Sequence, residues 1–437
     1  MYRKVNQNQI LRIALPAIVS NITVPLLGLI DVAIVGHLGD SAYIGAIAVG
    51  GMIFNVIYWV FGFLRMGTSG LTAQAMGAND KEEIQHLLTR SVIIGLAIAM
   101  ILLFLQYPLI NVAFSLIHTS PELKQLASKY FYILIWGAPA TLSLYGFTGW
   151  FIGMQNSRIP MIVAISQNIV NILAALVLVY GFSMKIEAVA IATLTAQYTG
   201  LLIAIILFRK HFPHYKSQIN ITKALNKEKL THFFRVNRDI FLRTLCLVAV
   251  TLFFTSAGAS RGNTLLAVNT LLIQLFTIFS YFMDGFAYAG EALVGKYVGA
   301  GNEGALKQTI KHLFKWGIGI SIGFMLLYSF GGNTFLSLLT NNRTVIQAAT
   351  AYHYWTVLIP LAGFAAFLWD GIFIGATASR QMLYSMAVAT AIFFVSYFSL
   401  RSQLGNHALW LSFLLYLGVR GGVQTLLCQK IIKKMQS

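Results

Sequence analysis

Charge is what this sequence has least of. Asp, Glu, Lys and Arg make up 10% of its 437 residues, against roughly 25% in a soluble domain. Hydrophobic residues reach 57%, a balance that excludes an ordinary water-soluble fold. Acids are scarcer still, 13 against 31 Lys and Arg. A formal charge of +18 would point to nucleic acid in a soluble protein. Here the basic residues gather in short breaks between apolar runs, so the expected partner is a lipid bilayer and not nucleic acid. Cysteine is almost absent. Cys246 and Cys428 both lie in apolar stretches, which argues against a disulfide framework or a thiolate metal site. The 9 histidines form no cluster with metal-ligand spacing.

What is present is a series of apolar segments of about 20 residues or more, each able to cross a hydrocarbon core of about 30 Å. Polar and Gly/Pro breaks divide the chain into about twelve such spans. Helix 1 is expected from about Gln9 to His37, helix 2 from Tyr43 to Met76 and helix 3 from Gln85 to Phe114. Helix 4 runs from Pro121 to Gly153, helix 5 ends near Gly181 and helix 6 runs from Glu187 to Phe208. Helices 7 to 12 begin near Thr231, Asn263, Ala305, Val345, Arg380 and His407. Gly77–Glu83 reads as a charged turn, and residues 211–229, with Lys216, Lys223, Lys227 and Lys229, as the linker between halves. The domain boundaries that follow are 1–210, 211–229 and 230–437.

Cytoplasmic loops of membrane proteins are enriched in Lys and Arg. With both termini placed inside, only Lys124, Lys129, Lys185, Arg261, Arg343 and Arg401 fall in outer loops, and Arg65, Arg243 and Arg420 fall within helices. An even number of spans follows. The segment before helix 1 carries Arg3 and Lys4 but no small-residue cleavage site, so it reads as a cytoplasmic lead-in and not a signal peptide. An internal repeat supports the count. Gly77-Ala78 recurs as Gly299-Ala300, 222 positions on, and Gly149-Trp-Phe-Ile-Gly153 recurs as Gly371-Ile-Phe-Ile-Gly375 at the same offset. The expected fold is an all-α integral membrane protein of about twelve transmembrane helices in two parallel six-helix repeats, an architecture found in transporters.

Helix 1 holds the one feature the rest is organised around, Asp31 within Ser20-Asn-Ile-Thr-Val-Pro25-Leu-Leu-Gly-Leu-Ile-Asp31. A carboxylate at the centre of a spanning helix costs about 2.5–3.5 kcal/mol on insertion scales and persists mostly where it lines a watery cavity. Burial away from cations favours the protonated form of a carboxylate, the condition for a group that loads and releases a proton. The alternative is an acid that only hydrogen-bonds its neighbours to fix packing. Pro25 has no N–H to give the carbonyl of Asn21, so helix 1 is expected to bend just before its acid.

These residues resemble the multidrug and toxic compound extrusion (MATE) transporters, and within them the DinF-like branch. The likeness is carried by Ala14-Leu-Pro16, Asn21-Ile-Thr-Val-Pro25-Leu-Leu-Gly-Leu-Ile-Asp31, Leu71-Thr-Ala-Gln-Ala-Met-Gly77, Asn237-Arg-Asp-Ile-Phe-Leu-Arg243 and Trp369-Asp-Gly-Ile-Phe-Ile-Gly375. The resemblance implies a V-shaped pair of six-helix bundles, alternating access, and export of amphipathic or cationic compounds in exchange for H+ or Na+. It also implies no cofactor, no catalysis and a monomer. Asp31 and Pro25 match the branch's protonation site and hinge, and Asn171 and Thr193 match its helix 5 Asn and helix 6 Thr. Where related sequences carry a second acid, four residues after that Asn, this chain has Ala175.

Other candidates are Asp370, which resembles a sodium-binding acid of the NorM-like branch, and Asp284 and Glu291, seven apart and so on nearly one face of helix 8. These three could bind ion or substrate, or make structural polar contacts. Arg65 could counter an anionic substrate or pair with Asp284 or Glu291. Asp239 and Arg243, four apart, are expected to pair within helix 7. His37 ends helix 1 at the outer surface and reads as a solvated cap, the alternative being a proton relay to Asp31. The chemistry points to a proton-coupled exporter in a bacterial plasma (inner) membrane, multi-pass, with both termini cytoplasmic. A sodium-coupled exporter, or a flippase for lipid-linked oligosaccharide from the same superfamily, shares the helix count. A polytopic membrane enzyme would show convergent catalytic groups at a membrane surface, and none is evident.

Overall fold

The computed structural model describes residues 7–36, 41–117, 120–215, 220–339 and 343–434. Among these residues the chain is helical, with no strand. The first half comprises α1 (Gln7–Gly36), α2 (Ser41–Val60), α3 (Phe63–Gly77), α4 (Lys81–Phe104), α5 (Gln106–Leu116), α6 (Pro121–Leu134), α7 (Ala138–Gly153), α8 (Arg158–Leu176) and α9 (Ile186–His211). A short α10 (Ile221–Ala224) precedes α11 (Lys227–Ala259), α12 (Asn263–Gly299), α13 (Glu303–Leu339), α14 (Arg343–Thr350), α15 (His353–Gly375), α16 (Ser379–Leu404) and α17 (Asn406–Lys434). Ten helical segments are long and apolar enough to cross a membrane, α2 and α3 together making one of them as Ala42–Gly77. Helix α1, at 30 residues, and the segment Pro121–Gly153, broken between α6 and α7 by a 3-10 turn at Ile135–Gly137, complete the expected twelve.

Several boundaries differ from the sequence reading for local reasons. The charged turn ends at Asp80, whose side chain accepts from the Glu83 N–H at 2.9 Å. That N-cap makes Lys81, Glu82 and Glu83 the first turn of α4, with both acids at the positive end of the helix. Helix 2 is interrupted at Phe61–Gly62 and helix 3 at Leu105, and helix 10 is preceded by the separate short helix α14. Helix 5 ends in a π turn, Val177–Gly181.

The repeat is visible atom by atom. Helices α3 and α12 end at Gly77 and Gly299, and each is followed by a positive-φ residue at the same offset, Asn79 (φ 56°) and Gly301 (φ 63°). A Cβ at Gly149 would collide with the Arg65 carbonyl oxygen, and one at Gly371 with that of Ala287. One turn further on, a Cβ at Gly153 would lie 2.7 Å from Ser69 O and one at Gly375 2.7 Å from Glu291 O. Both repeats thus bring α7 against α3, and α15 against α12, backbone to backbone, which only glycine permits.

The chain divides into two compact units, Val19–Phe233 and Phe234–Ser437 with the chain up to Ile18. The division falls inside α1. In the second of these units the early part of α1 buries Ile10, Ile13, Ala14 and Ala17, and Gly285 of α12 lies against Ile18 and Ala14 with no room for a side chain. In the Val19–Phe233 unit the later part packs Ile34 with Ala175, Val179, Ala188 and Ala192 of helices 5 and 6. The described part of the linker is docked, not free. Arg90, buried in α4, donates from Nε to Ala224 O at 2.8 Å and from Nη1 to Glu83 at 3.0 Å, and Lys223 pairs with Glu82 at 2.7 Å.

Candidate functional site

Asp31 is buried, 8% exposed, and its Oδ1 has no hydrogen-bond partner among the described residues. No cation pairs with it among those residues. Its helix neighbours Ile30 and Ile34 face an apolar cluster, so a charge here meets little that water would have offered. Ala175 is fully buried in that cluster, and the place of the second acid is therefore apolar in this chain.

Asn171 and Thr193 are brought together. Asn171, fully buried on α8, donates from Nδ2 to Thr193 Oγ1 on α9 at 2.9 Å, and its own Oδ1 is a buried acceptor without a donor among the described residues. Asn168, one turn earlier on the same face of α8, donates from Nδ2 to Thr23 O of α1 at 3.0 Å. Helix α8 thus holds α1 by its backbone two residues before Pro25, whose side chain is exposed. Tyr130 on α6, buried, lies within electrostatic reach of Asp31, and Gly50 of α2 lies against its ring with no room for a side chain. Sequence reasoning missed Asn168 and Tyr130. Asn168 was detectable from its i, i+3 spacing to Asn171, whereas nothing local marks Tyr130. His37 lies outside the described residues.

Asp370 sits in different company. Its Oδ2 accepts from Arg243 of α11 and from Arg420 of α17, the latter at 2.9 Å, and its Oδ1 accepts from Gln424 at 2.7 Å. Arg420 also lies over the Phe367 and Tyr416 rings and within electrostatic reach of Asp284. The carboxylate is already surrounded by cations. The pairing expected between Asp239 and Arg243 is not made: Arg243 reaches across to Asp370, and Asp239 is held by Arg238 at 3.1 Å and by the Ser379 hydroxyl at 3.0 Å. Asp239 is as buried as Asp370, so burial does not choose between them. Asp239 already has a cation and a hydroxyl of its own, and Arg243 serves the acid on α15, where losing a partner would leave a buried charge uncompensated. Glu291 is buried, and Asp284 and Arg65 are half-buried. Arg65 belongs to the Val19–Phe233 unit, and both acids to the other.

Comparison with known proteins follows the same division. The MatE family model matches residues 16–177 and again 240–397. The chain is 36% identical over 409 residues to the DNA damage-inducible protein F of Escherichia coli K12, covering 94% of this chain and 89% of that one. It is 21% identical to the multidrug export protein MepA of Staphylococcus aureus over 82% of this chain and 79% of MepA. Among solved structures, a MATE protein in the straight conformation superposes with a TM-score of 0.87 at 20% identity, covering 98% and 97% of the two chains. A Vibrio cholerae MATE transporter in the bent form gives 0.85 at 19%, covering 98% of each. With two matches to the family model spanning both repeats, and its fold shared with solved MATE proteins, the chain belongs to the MatE family of membrane transporters, which are not enzymes.

Proposed function

We propose that the protein is a proton-coupled exporter of amphipathic or cationic small molecules, working by alternating access, with Asp31 as the group that loads and releases the proton. One observation carries this reading: Asp370 is saturated by two guanidiniums and an amide, whereas Asp31 is buried with an oxygen that no described residue satisfies. A neutral, protonated Asp31 suits that site, and the ionised form does not. Asn171 Oδ1 is a second buried acceptor in the same unit without a donor among the described residues, and Tyr130 lies within electrostatic reach of Asp31. Pro25 lets α1 bend between the Asn168 anchor at Thr23 and Asp31, so a change of charge at Asp31 has a hinge beside it. The relatives named as a multidrug export protein support the substrate class, and solved family members described in straight and bent forms support two states.

The driving force is sufficient. One proton moving through about 100 mV yields about 2.3 kcal/mol and one pH unit about 1.4 kcal/mol. Together these sustain roughly a 500-fold gradient of a neutral substrate. The distribution of Lys and Arg supports an inner-membrane orientation with both termini cytoplasmic. The test is transport of a fluorescent organic cation in proteoliposomes under an imposed pH or sodium gradient. Transport driven by pH and abolished in Asp31→Asn is the expected result. Sodium-driven transport, or proton coupling that survives in the variant, would overturn the reading.

A further inference from the structure

The first turns of α15 and α17 meet at a histidine that the exchange mechanism does not use. Trp355 donates its indole N–H to His407 Nδ1 at 3.1 Å, and the Tyr354 hydroxyl lies 3.1 Å from the same nitrogen. An indole nitrogen can only donate. Nδ1 is therefore an acceptor, the ring proton sits on Nε2, and the Tyr354 hydroxyl must donate as well. The Tyr352 ring covers the imidazole at 4.6 Å between centroids. We propose that His407 is a pH-sensitive tie between the first turns of α15 and α17, closed by the neutral imidazole and released when Nδ1 is protonated.

Protonation sets N–H against N–H and removes the acceptor from both donors at once. The face of Tyr352 cannot restore an acceptor to Trp355 or Tyr354. Among the described residues of this part of the chain no acid lies near enough to offer an exchange. From Arg243 to the chain end the acids are Asp284, Glu291, Glu303 and Asp370. Asp284 is fifteen residues along α12 from Asn269, whose amide pairs with Asn406, and Asp370 is fifteen residues along α15 from Trp355, each roughly 22 Å at 1.5 Å per residue. Glu291 lies farther along α12, and Glu303 opens α13 beyond its end. On α15 and at the residue before it the titratable neighbours are the Tyr352 and Tyr354 phenols and His353, whose Nε2 bonds Tyr328 O at 2.8 Å. The charged groups at this end of the unit are Arg261 beside the Gly405 turn, Arg343 opening α14, and Arg401 on α16 over the Phe398 ring. All are cations, and none can take the place of the lost acceptor.

The same two helices are joined a second time deeper in the unit, by Asp370 to Arg420 and Gln424 and by Trp369 Nε1 to Thr425 Oγ1 at 2.8 Å. That deeper joint contains no imidazole. Release of the outer tie therefore loosens the start of α15 from α17, while the His353–Tyr328 bond to α13 and the deeper joint stay in place. In the orientation proposed above this end faces outside, where an exporter driven by protons meets acid. The proposal rests on that reading for its sidedness alone.

The test is hydrogen–deuterium exchange of the full chain in lipid nanodiscs at about pH 8 and about pH 5, the interval over which histidines change charge. Peptides covering residues 343–358 and 404–412 are followed, with rates corrected for intrinsic pH dependence. In the wild type, acid should speed exchange there on the order of tenfold, the equivalent of one or two net hydrogen bonds. In His407→Asn, whose amide oxygen replaces Nδ1 as an acceptor at every pH, protection should stay flat. Trp355→Phe, which removes a donor, should exchange fast at both pH values and serves if the first variant does not fold. Acid-independent protection in the wild type, the same acid-induced loss in His407→Asn, or an undiminished pH step in Trp355→Phe would overturn the proposal. Repeating the comparison in Asp31→Asn separates the two claims, since the pH step is expected to persist there even if proton coupling by Asp31 fails.

Discussion

An aspartate surrounded by guanidiniums and an aspartate with none respond differently to the loss of their charge. Asp370→Asn would leave Arg243 and Arg420 buried without a counter-charge, a change that costs about 3–5 kcal/mol. Thermal unfolding in detergent should show a clear drop in melting temperature. Asp31→Asn removes a carboxylate with one buried oxygen that no described residue satisfies, so the same measurement should show a change within about 1 kcal/mol of wild type, or a gain. Equal destabilisation by the two substitutions would contradict the distinction drawn between them. Asp31 was legible from sequence because a single acid in an apolar run has few explanations. The partners of Asp370 were not, because they come from 127 and 50 residues away. Spacing alone favoured a local Asp239–Arg243 pair, and long-range charge pairing overrode it.

At the scale of the helix, the repeat makes a paired expectation. Gly149→Ala and Gly371→Ala each drive a methyl group into a carbonyl oxygen of the facing helix, so each should lower stability by about 1–3 kcal/mol. Gly319→Ala, in α13 with open space around its Cα, should be neutral or raise stability by about 0.5–1 kcal/mol. Thermal melts of the three variants check this. Helix α1 makes a kinetic expectation instead. Pro25→Ala restores a backbone N–H and stiffens the segment between Thr23 and Asp31, so pH-driven exchange should slow while the melting temperature holds or rises. Unchanged turnover would remove Pro25 from the mechanism. The glycine pairs could be read from sequence because they repeat at one offset. The interruption of helix 2 at Phe61–Gly62 could not, since neither proline nor charge marks it, and the short helix α14 is too brief to carry a periodic signal.

At the scale of the molecule, one helix belongs to both compact units, with its first turns packed at Gly285 and its acid in the other unit. A boundary inside α1 is invisible to any reading that cuts the chain at polar linkers, because packing, and not composition, decides it. The twelve-span count, the repeat and the family were all legible, since each rests on patterns spread over hundreds of residues. The central claim is narrower: a single carboxylate couples export to protons. Its most direct measurement is proton release on substrate binding, followed with a pH dye in weakly buffered detergent solution as an organic cation is titrated in. The account expects about one proton per bound cation from the wild type, and none from Asp31→Asn even though the variant still binds. Equal release from both proteins would contradict it and place the coupling group elsewhere.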